Sequence, residues 1–171
     1  VQMDSLFVFV NGIKRYIFTA IDLKTRFAFA YAYKSLTSDN ARDFMGKLIK
    51  VMPFKIKGIQ TDNGSEFAGN FEKYIQSLEI LHFYNYPKGP QSNAYVERFN
   101  RTLEEHYVEW HADKIVNLEE FNYNLVNYLL WYNTKKPHSS LGKDPPLKYF
   151  LENYYIRNKV KFNMLWNHTE T

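Results

Sequence analysis

The chain has 171 residues, of which 45% are hydrophobic and 18% aromatic, and it contains no cysteine. This length fits one domain with its own core, and the aromatic content excludes an intrinsically disordered chain. The lack of cysteine excludes disulfides, thiolate-bound zinc and a thiol nucleophile. No apolar run approaches the roughly 20 residues of a membrane-spanning helix, so we expect no membrane partner. The net charge of +4 permits a nucleic-acid partner without requiring one.

Three strand-like runs come first. Residues 1–10 are rich in β-branched and aromatic side chains, and Asn11-Gly12 follows them, the dipeptide most typical of a two-residue hairpin turn. Residues 16–23 form the second run. In the third run, residues 26–33, bulky aromatic residues alternate with alanine, which predicts one bulky face and one small face. We expect an antiparallel meander. The chain enters its first strand at once and without an initiator Met, which predicts a piece of a longer protein.

The spacing of apolar residues then becomes helical. From Ala41 to Met52 they recur every three or four positions after the capping cluster Thr37-Ser38-Asp39. The full order of predicted elements is β-β-β-α-β-α-β-α-α, which indicates a mixed α/β sheet with helices packed on it. The remaining elements are a strand over 56–61, a helix over 71–78, a strand over 80–84, a helix that begins at Ser92 or Asn93, a helix that begins at Asn117 with Glu120 in the capping-box position, and a short helix from Pro145-Pro146.

Each of the two long C-terminal helices carries an apolar stripe that we expect to face the core. The first stripe is Val96, Phe99, Leu103 and Tyr107, and the second is Leu118, Phe121, Leu125, Tyr128, Leu129 and Tyr132.

Three acidic residues are candidates for metal chemistry. Asp4 lies inside the first predicted strand, Asp62 follows the fourth, and Glu97 lies one step from the apolar stripe of its helix. If the first and fourth strands are neighbours, Asp4 and Asp62 converge. Three carboxylates in one cleft repel each other unless cations neutralise them, and oxygen ligands suit Mg²⁺ or Mn²⁺. Two such ions about 3.5–4 Å apart would clamp the attacking and leaving oxygens of a phosphoryl displacement.

Each acid taken singly also has a structural explanation. An Asp in a strand is commonly an edge charge or a hydrogen-bonded buried acid. An Asp-Asn-Gly run is commonly a turn, and a Glu near a helix start compensates the helix dipole.

The joint pattern resembles the catalytic core of the DDE integrase/transposase family, part of the retroviral-integrase superfamily. The resemblance covers about residues 1–150, and we take 151–171 as a C-terminal extension of the same domain. The interval between Asp62 and Glu97 is one residue shorter than is usual in the family. The tail resembles that of bacterial insertion-sequence transposases. The matching segments are Val1-Gln2-Met3-Asp4, residues 60–67, residues 87–100, Tyr132-Asn133, residues 137–142 and Pro145.

This resemblance implies an RNase H-like fold: α/β, with a five-stranded mixed sheet, an antiparallel meander first, and helices on both faces. It implies that Asp4, Asp62 and Glu97 are catalytic and hold two Mg²⁺ or Mn²⁺ ions. The implied activity is DNA cutting and strand transfer, with water and then a DNA 3′-hydroxyl as nucleophiles. The implied partners are double-stranded DNA, as element ends and target, and a homodimer or higher oligomer, in a cytoplasmic, nucleoid-associated location in a bacterium. A nuclease of this fold that only hydrolyses, and a non-enzymatic DNA-binding module, are the alternatives.

Contacts with DNA phosphates need basic side chains, amides and flexible backbone. By resemblance, Lys88 and Gln91 in the loop before the Glu97 helix, and Asn93 at its start, contact the DNA end. Arg101 lies one turn beyond Glu97 on the same face. It is a fourth candidate, with an ion pair on its own helix as the structural alternative.

Two further residues match the family pattern but have structural explanations. Glu66 matches a family position beside the predicted site, where it could touch metal or DNA; holding the Asn63-Gly64 turn is the structural explanation that we favour. His138 belongs to the tail motif, where packing or capping is favoured over catalysis. The spacing of the five histidines matches no zinc-ligand pattern.

Overall fold

The computed structural model describes residues 1–85 and 93–156. Five strands form one sheet in the order third, second, first, fourth, fifth. The first three are antiparallel neighbours, and the fourth and fifth add in parallel to the first. The predicted mixed sheet with an antiparallel meander is therefore confirmed. The strands are β1 Gln2–Val10, β2 Ile13–Ile21, β3 Ala28–Tyr33, β4 Gly58–Thr61 and β5 Leu81–Tyr84.

The turn between β1 and β2 has the predicted chemistry. Asn11 and Gly12 have φ angles of 51° and 77°. A type I′ turn needs positive φ at both central residues, which Asn and Gly adopt at low cost.

The helices follow the predicted order, with additional short helical segments between them. The helix predicted to begin at Ser92, which lies outside the described residues, or at Asn93 extends past its α-helical part, through a π-helical turn over Glu104–Val108 and a 3₁₀ segment over Ala112–Val116. The predicted boundary at residue 150 falls where the last α-helix passes into a π-helical turn, Leu151–Tyr155. Whether 151–171 extends the same domain stays a prediction. The α-helices are α1 Ser38–Val51, α2 Asn70–Ser77, α3 Ala94–Leu103, α4 Glu109–His111, α5 Leu118–Thr134 and α6 Pro146–Phe150.

Helices cover both faces of the sheet, as predicted. Successive side chains of a strand point to opposite faces, and in β1 Asp4 bonds to Asn100 of α3 while Ser5 turns to the other face. Phe18 lies opposite Ser5 in β2 and stacks on Phe44 of α1, with ring centroids 5.7 Å apart. Hence α1 covers one face, and α3 covers the other together with α5, which packs on β3.

The free edge of β3 is closed by two asparagines of α5. The side chain of Asn122 accepts a hydrogen bond from the Ala32 N–H (2.7 Å) and donates to the Ala32 carbonyl (3.0 Å). Asn133 pairs in the same way with Ala28, at 2.9 and 2.8 Å. The alanine face of β3 lets α5 approach closely enough for these contacts. Both asparagines are buried, although the predicted stripe of α5 contains only apolar residues.

The first predicted stripe, which runs along α3 into the π-helical turn after it, is confirmed, since all four of its residues are buried. The capping box at the start of α5 is half formed. Asn117 accepts a hydrogen bond from the Glu120 N–H at 3.4 Å. The Glu120 carboxylate does not return to Asn117, and lies 3.5 Å from the Lys114 ammonium instead. None of the helices in the described ranges combines the length and apolarity of a membrane span.

Candidate active site

The register between β1 and β4 brings Asp4 and Asp62 to neighbouring positions. The two strands are parallel, with Gln2 opposite Gln60, and the Gln2 side-chain amide donates to the Gln60 side-chain oxygen at 3.3 Å. Asp4 lies two residues after Gln2 in β1, and Asp62 lies two residues after Gln60, directly after the last residue of β4, so this register brings the two carboxylates close to each other. The condition for their convergence, adjacent first and fourth strands, is therefore met.

Asp4 is held by two hydrogen bonds. Its Oδ1 accepts from the Ser5 N–H and its Oδ2 from the Asn100 Nδ2, both at 2.8 Å. Burial raises the pKa of Asp4; the hydrogen bonds from Ser5 and Asn100 lower it, and the negative charges of Asp62 and Glu97 raise it further, with a net increase. The charges of Asp62 and Glu97 thus both act on Asp4.

Asp62 begins a tight turn beyond β4. Its Oδ1 accepts a hydrogen bond from the Gly64 N–H at 3.0 Å, while the rest of the side chain is exposed. Glu66, in the 3₁₀ turn Ser65–Phe67, is buried beneath this turn and accepts a hydrogen bond from the Ser5 hydroxyl at 2.9 Å. A Cβ on Gly64 would lie 2.6 Å from the Glu66 Oε2. These contacts agree with a structural role for Glu66.

Glu97 is carried by a helix that is fastened to β1 at two points. The Gln2 side-chain oxygen accepts a hydrogen bond from the Val96 N–H at 3.2 Å, and Asn100 makes the bond to Asp4 described above. Glu97 lies between these contacts and is exposed. Neither Gln2 nor Asn100 was predicted as a site residue; the signal in the sequence was the spacing of three between Glu97 and Asn100, which puts them on one helix face.

The donor chemistry of the three carboxylates fits a hard divalent cation. All their ligand atoms are oxygens, and their mutual repulsion is of the kind that a bound cation relieves. Within residues 1–85 and 93–156, however, no three acidic or histidine side chains already stand at metal-binding separations. The carboxylates are neighbours rather than a preassembled ligand set.

The structure describes two of the four predicted DNA-contact residues, Asn93 and Arg101. Lys88 and Gln91 lie outside the described residues. Asn93 precedes α3, but its side-chain oxygen accepts from the Asn85 amide at 2.5 Å instead of capping the helix. Arg101 is exposed, and the part of the chain that the structure describes offers it no ion-pair partner.

Comparison with known proteins gives a consistent picture. A family model described as "Integrase core domain" matches residues 1–90, and a second model with that description matches residues 78–146. The chain is 33% identical over 169 residues to the protein named "Putative integrase ORF3" of Spiroplasma virus SpV1-C74, which covers 86% of this chain and 46% of that protein. It is 32% identical over 111 residues to an uncharacterized 39.2 kDa protein of insertion element IS476 from Xanthomonas euvesicatoria, with coverages of 63% and 31%.

The solved structure of the HTLV-2 integrase catalytic core domain in complex with magnesium resembles this fold. Its TM-score is 0.66 at 23% identity, over 84% of this chain and 90% of that one. The likeness confirms the predicted RNase H-like fold. The chain spans less than half the length of the curated relatives just described.

Proposed function

The chain belongs to the integrase core domain family, and from this premise we propose that it cuts DNA strands and joins them to other DNA. In this proposal Asp4, Asp62 and Glu97 hold two Mg²⁺ or Mn²⁺ ions. The observation that carries it is the position of Asp62, directly after β4, beside Asp4 of the adjacent parallel strand β1, with the charges of Asp62 and Glu97 both acting on Asp4. The magnesium bound to the HTLV-2 core supports the choice of cation.

The proposed chemistry divides between ions and side chains. When bound, divalent ions would activate the nucleophile and stabilise the charge that develops on the phosphate. The Asn100 amide orients the Asp4 carboxylate, and the Gly64 N–H orients that of Asp62. Asp4 must be ionised to act as a ligand, so affinity for the cation falls in acid.

The proposed DNA contacts lie around the start of α3. Arg101 has an unpaired guanidinium among the described residues, and the amide nitrogen of Asn93 has no hydrogen-bond partner there. Lys88 and Gln91 are proposed as contacts on the resemblance alone. The proposed partners are double-stranded element ends and target DNA, bound by a dimer or higher oligomer because two ends are joined. Such a substrate would be met at the bacterial nucleoid, in the cytoplasm.

The test is strand transfer by the full-length protein, with labelled element ends and a target plasmid in Mg²⁺. Asp62→Asn keeps the shape of the side chain and removes its charge, and we expect it to slow cutting and joining about 100-fold or more. Asp113→Asn, an exposed acid elsewhere, is the matched control and should be fully active. Equal melting temperatures would show that both variants fold.

Other results would favour the alternatives. Mg²⁺-dependent cleavage that survives in Asp62→Asn would refute the assignment of the three carboxylates. Cutting without joined products in the wild type would indicate a nuclease that only hydrolyses. DNA binding with neither reaction would indicate a non-enzymatic module.

A further inference from the structure

A polar pocket of about 230 Å³ lies on a second flank of α3. The β2–β3 turn, α3, the end of α5 and the turn that follows α5 form its walls. Arg98 lines the pocket whereas its neighbour Glu97 does not, because consecutive residues of a helix point about 100° apart. The pocket is therefore separate from the carboxylates, although one helix borders both.

The charged side chains that line this pocket are all positive. They are Arg26, Arg98 and Lys136, and no Asp or Glu lines it with them. None of the three cations forms an ion pair within the described residues. Like charges around one cavity repel each other, and an anion between them would relieve that repulsion.

Two buried polar atoms in the pocket walls lack partners. The Arg26 Nη1 and the His138 Nε2 are both buried, and neither forms a hydrogen bond in the described structure. The other polar contact of the His138 ring is a hydrogen bond with the backbone of Tyr132. Buried polar atoms are usually satisfied, so two unsatisfied atoms in one polar pocket point to a missing ligand.

Arg26 is held in place by the turn that carries it. The Asp22 carboxylate accepts hydrogen bonds from the Thr25 N–H (2.7 Å) and hydroxyl (2.8 Å). Arg26 itself has a φ of 61°, a region that Gly or Asn enters more easily. Its guanidinium lies 3.9 Å from the centroid of the Tyr95 ring. Because this backbone conformation favours Gly, the presence of Arg here points to a role for its side chain.

We propose that this pocket binds a phosphate group of a DNA strand. A guanidinium matches two phosphate oxygens at once. The unpartnered Arg26 Nη1 donates a further contact, and the His138 Nε2 donates one when the ring is protonated on binding. The choice of DNA as the source of the phosphate rests on the proposed function. A strand bound here and at the carboxylates would cross α3 from one flank to the other.

The first test measures DNA binding without metal chemistry. The chain is titrated with a fluorescent DNA duplex in EDTA at several salt concentrations. Arg98 is exposed, so Arg98→Gln should fold normally, as its melting temperature will check. We expect affinity to fall about 3- to 10-fold and the slope of log affinity against log salt to fall by about 0.9, one phosphate contact. Arg42→Gln, at an exposed arginine on α1, should match the wild type.

The second test identifies the source of the phosphate. The imidazole signals of His138 are followed by NMR during titrations with the duplex and with inorganic phosphate. We expect the duplex to shift these signals and to raise the pKa of His138 above about 4, its value in the protein without DNA. We expect Arg98→Gln to weaken both effects.

Three results would overturn the proposal. The first is equal DNA affinity of Arg98→Gln and the wild type, and the second is no shift of the His138 signals with the duplex. The third is a shift of these signals with inorganic phosphate but not with the duplex. Because no metal is present, a failure of cutting and joining would refute the proposed function and leave these binding results unaffected.

Discussion

Asn122→Ala tests whether the edge of β3 depends on the asparagines of α5. The substitution removes one hydrogen bond to the Ala32 N–H and one to its carbonyl. Water cannot readily replace them, because Ala32 is 1% exposed and Asn122 5%. A hydrogen bond contributes about 1 kcal/mol net, and an unsatisfied buried group costs about 1–3 kcal/mol. We expect the free energy of unfolding to fall by about 3 kcal/mol, a large fraction of a typical domain's stability of about 5–15 kcal/mol.

Urea unfolding followed by tryptophan fluorescence measures this loss. Asn127→Ala, on the exposed side of α5, is the control, because it makes the same change in helix propensity without a buried partner. Asn133→Ala should cost as much as Asn122→Ala. The two sites lie about 16 Å apart along the helix, so the double variant should be additive within about 0.5 kcal/mol. A difference between Asn122→Ala and Asn127→Ala below about 1 kcal/mol would refute the reasoning.

Two further predictions concern the turn after β4 and the tail. Gly64→Ala should displace the Glu66 carboxylate and break its bond to Ser5, at a cost of about 1–2 kcal/mol; an equal cost in a Glu66→Ala background, measured by thermal unfolding, would contradict this. Burial, with a contribution from Lys136, lowers the pKa of His138 to about 4. The unfolded ring titrates near pH 6.5, so the unfolded state binds more protons between about pH 4 and 6.5, and stability falls as the pH falls through that window. Allowing for the solvent contact of His138, we expect the free energy of unfolding to fall by about 1–2 kcal/mol over this range. Urea unfolding at several pH values should show this fall in the wild type and not in His138→Gln.

Local patterns in the sequence predicted the fold well. The alternation in residues 26–33 indicated one bulky and one small face, and Phe29 does stack on Phe44 while the alanines face α5. The Asn11-Gly12 turn and the α3 stripe were equally local. Each of these signals is a spacing of two, three or four residues, or a turn dipeptide, so one stretch of chain contains it completely.

Polar contacts between distant elements were missed. Asn122 and Ala32 are 90 residues apart in the chain, and Asn100 and Asp4 are 96 apart. A buried asparagine looks like a solvent-facing one until its partner's position is known. For the same reason the adjacency of Asp4 and Asp62 could be stated only as a condition on strand order, and the set of residues around His138 could not be assembled from the sequence.

The two contacts that fasten α3 to β1 bear on how this domain tolerates insertions and deletions. The bonds from Val96 to Gln2 and from Asn100 to Asp4 set where Glu97 stands, and neither involves the connection that precedes the helix. We therefore expect a gain or loss of one residue in that connection to leave Glu97 in place, and an interval one residue shorter than the family's usual one agrees with this. A deletion of one residue inside β4 would turn every side chain that follows it in the strand to the opposite face. The number of residues can therefore vary in the connection before α3 but not within the strands.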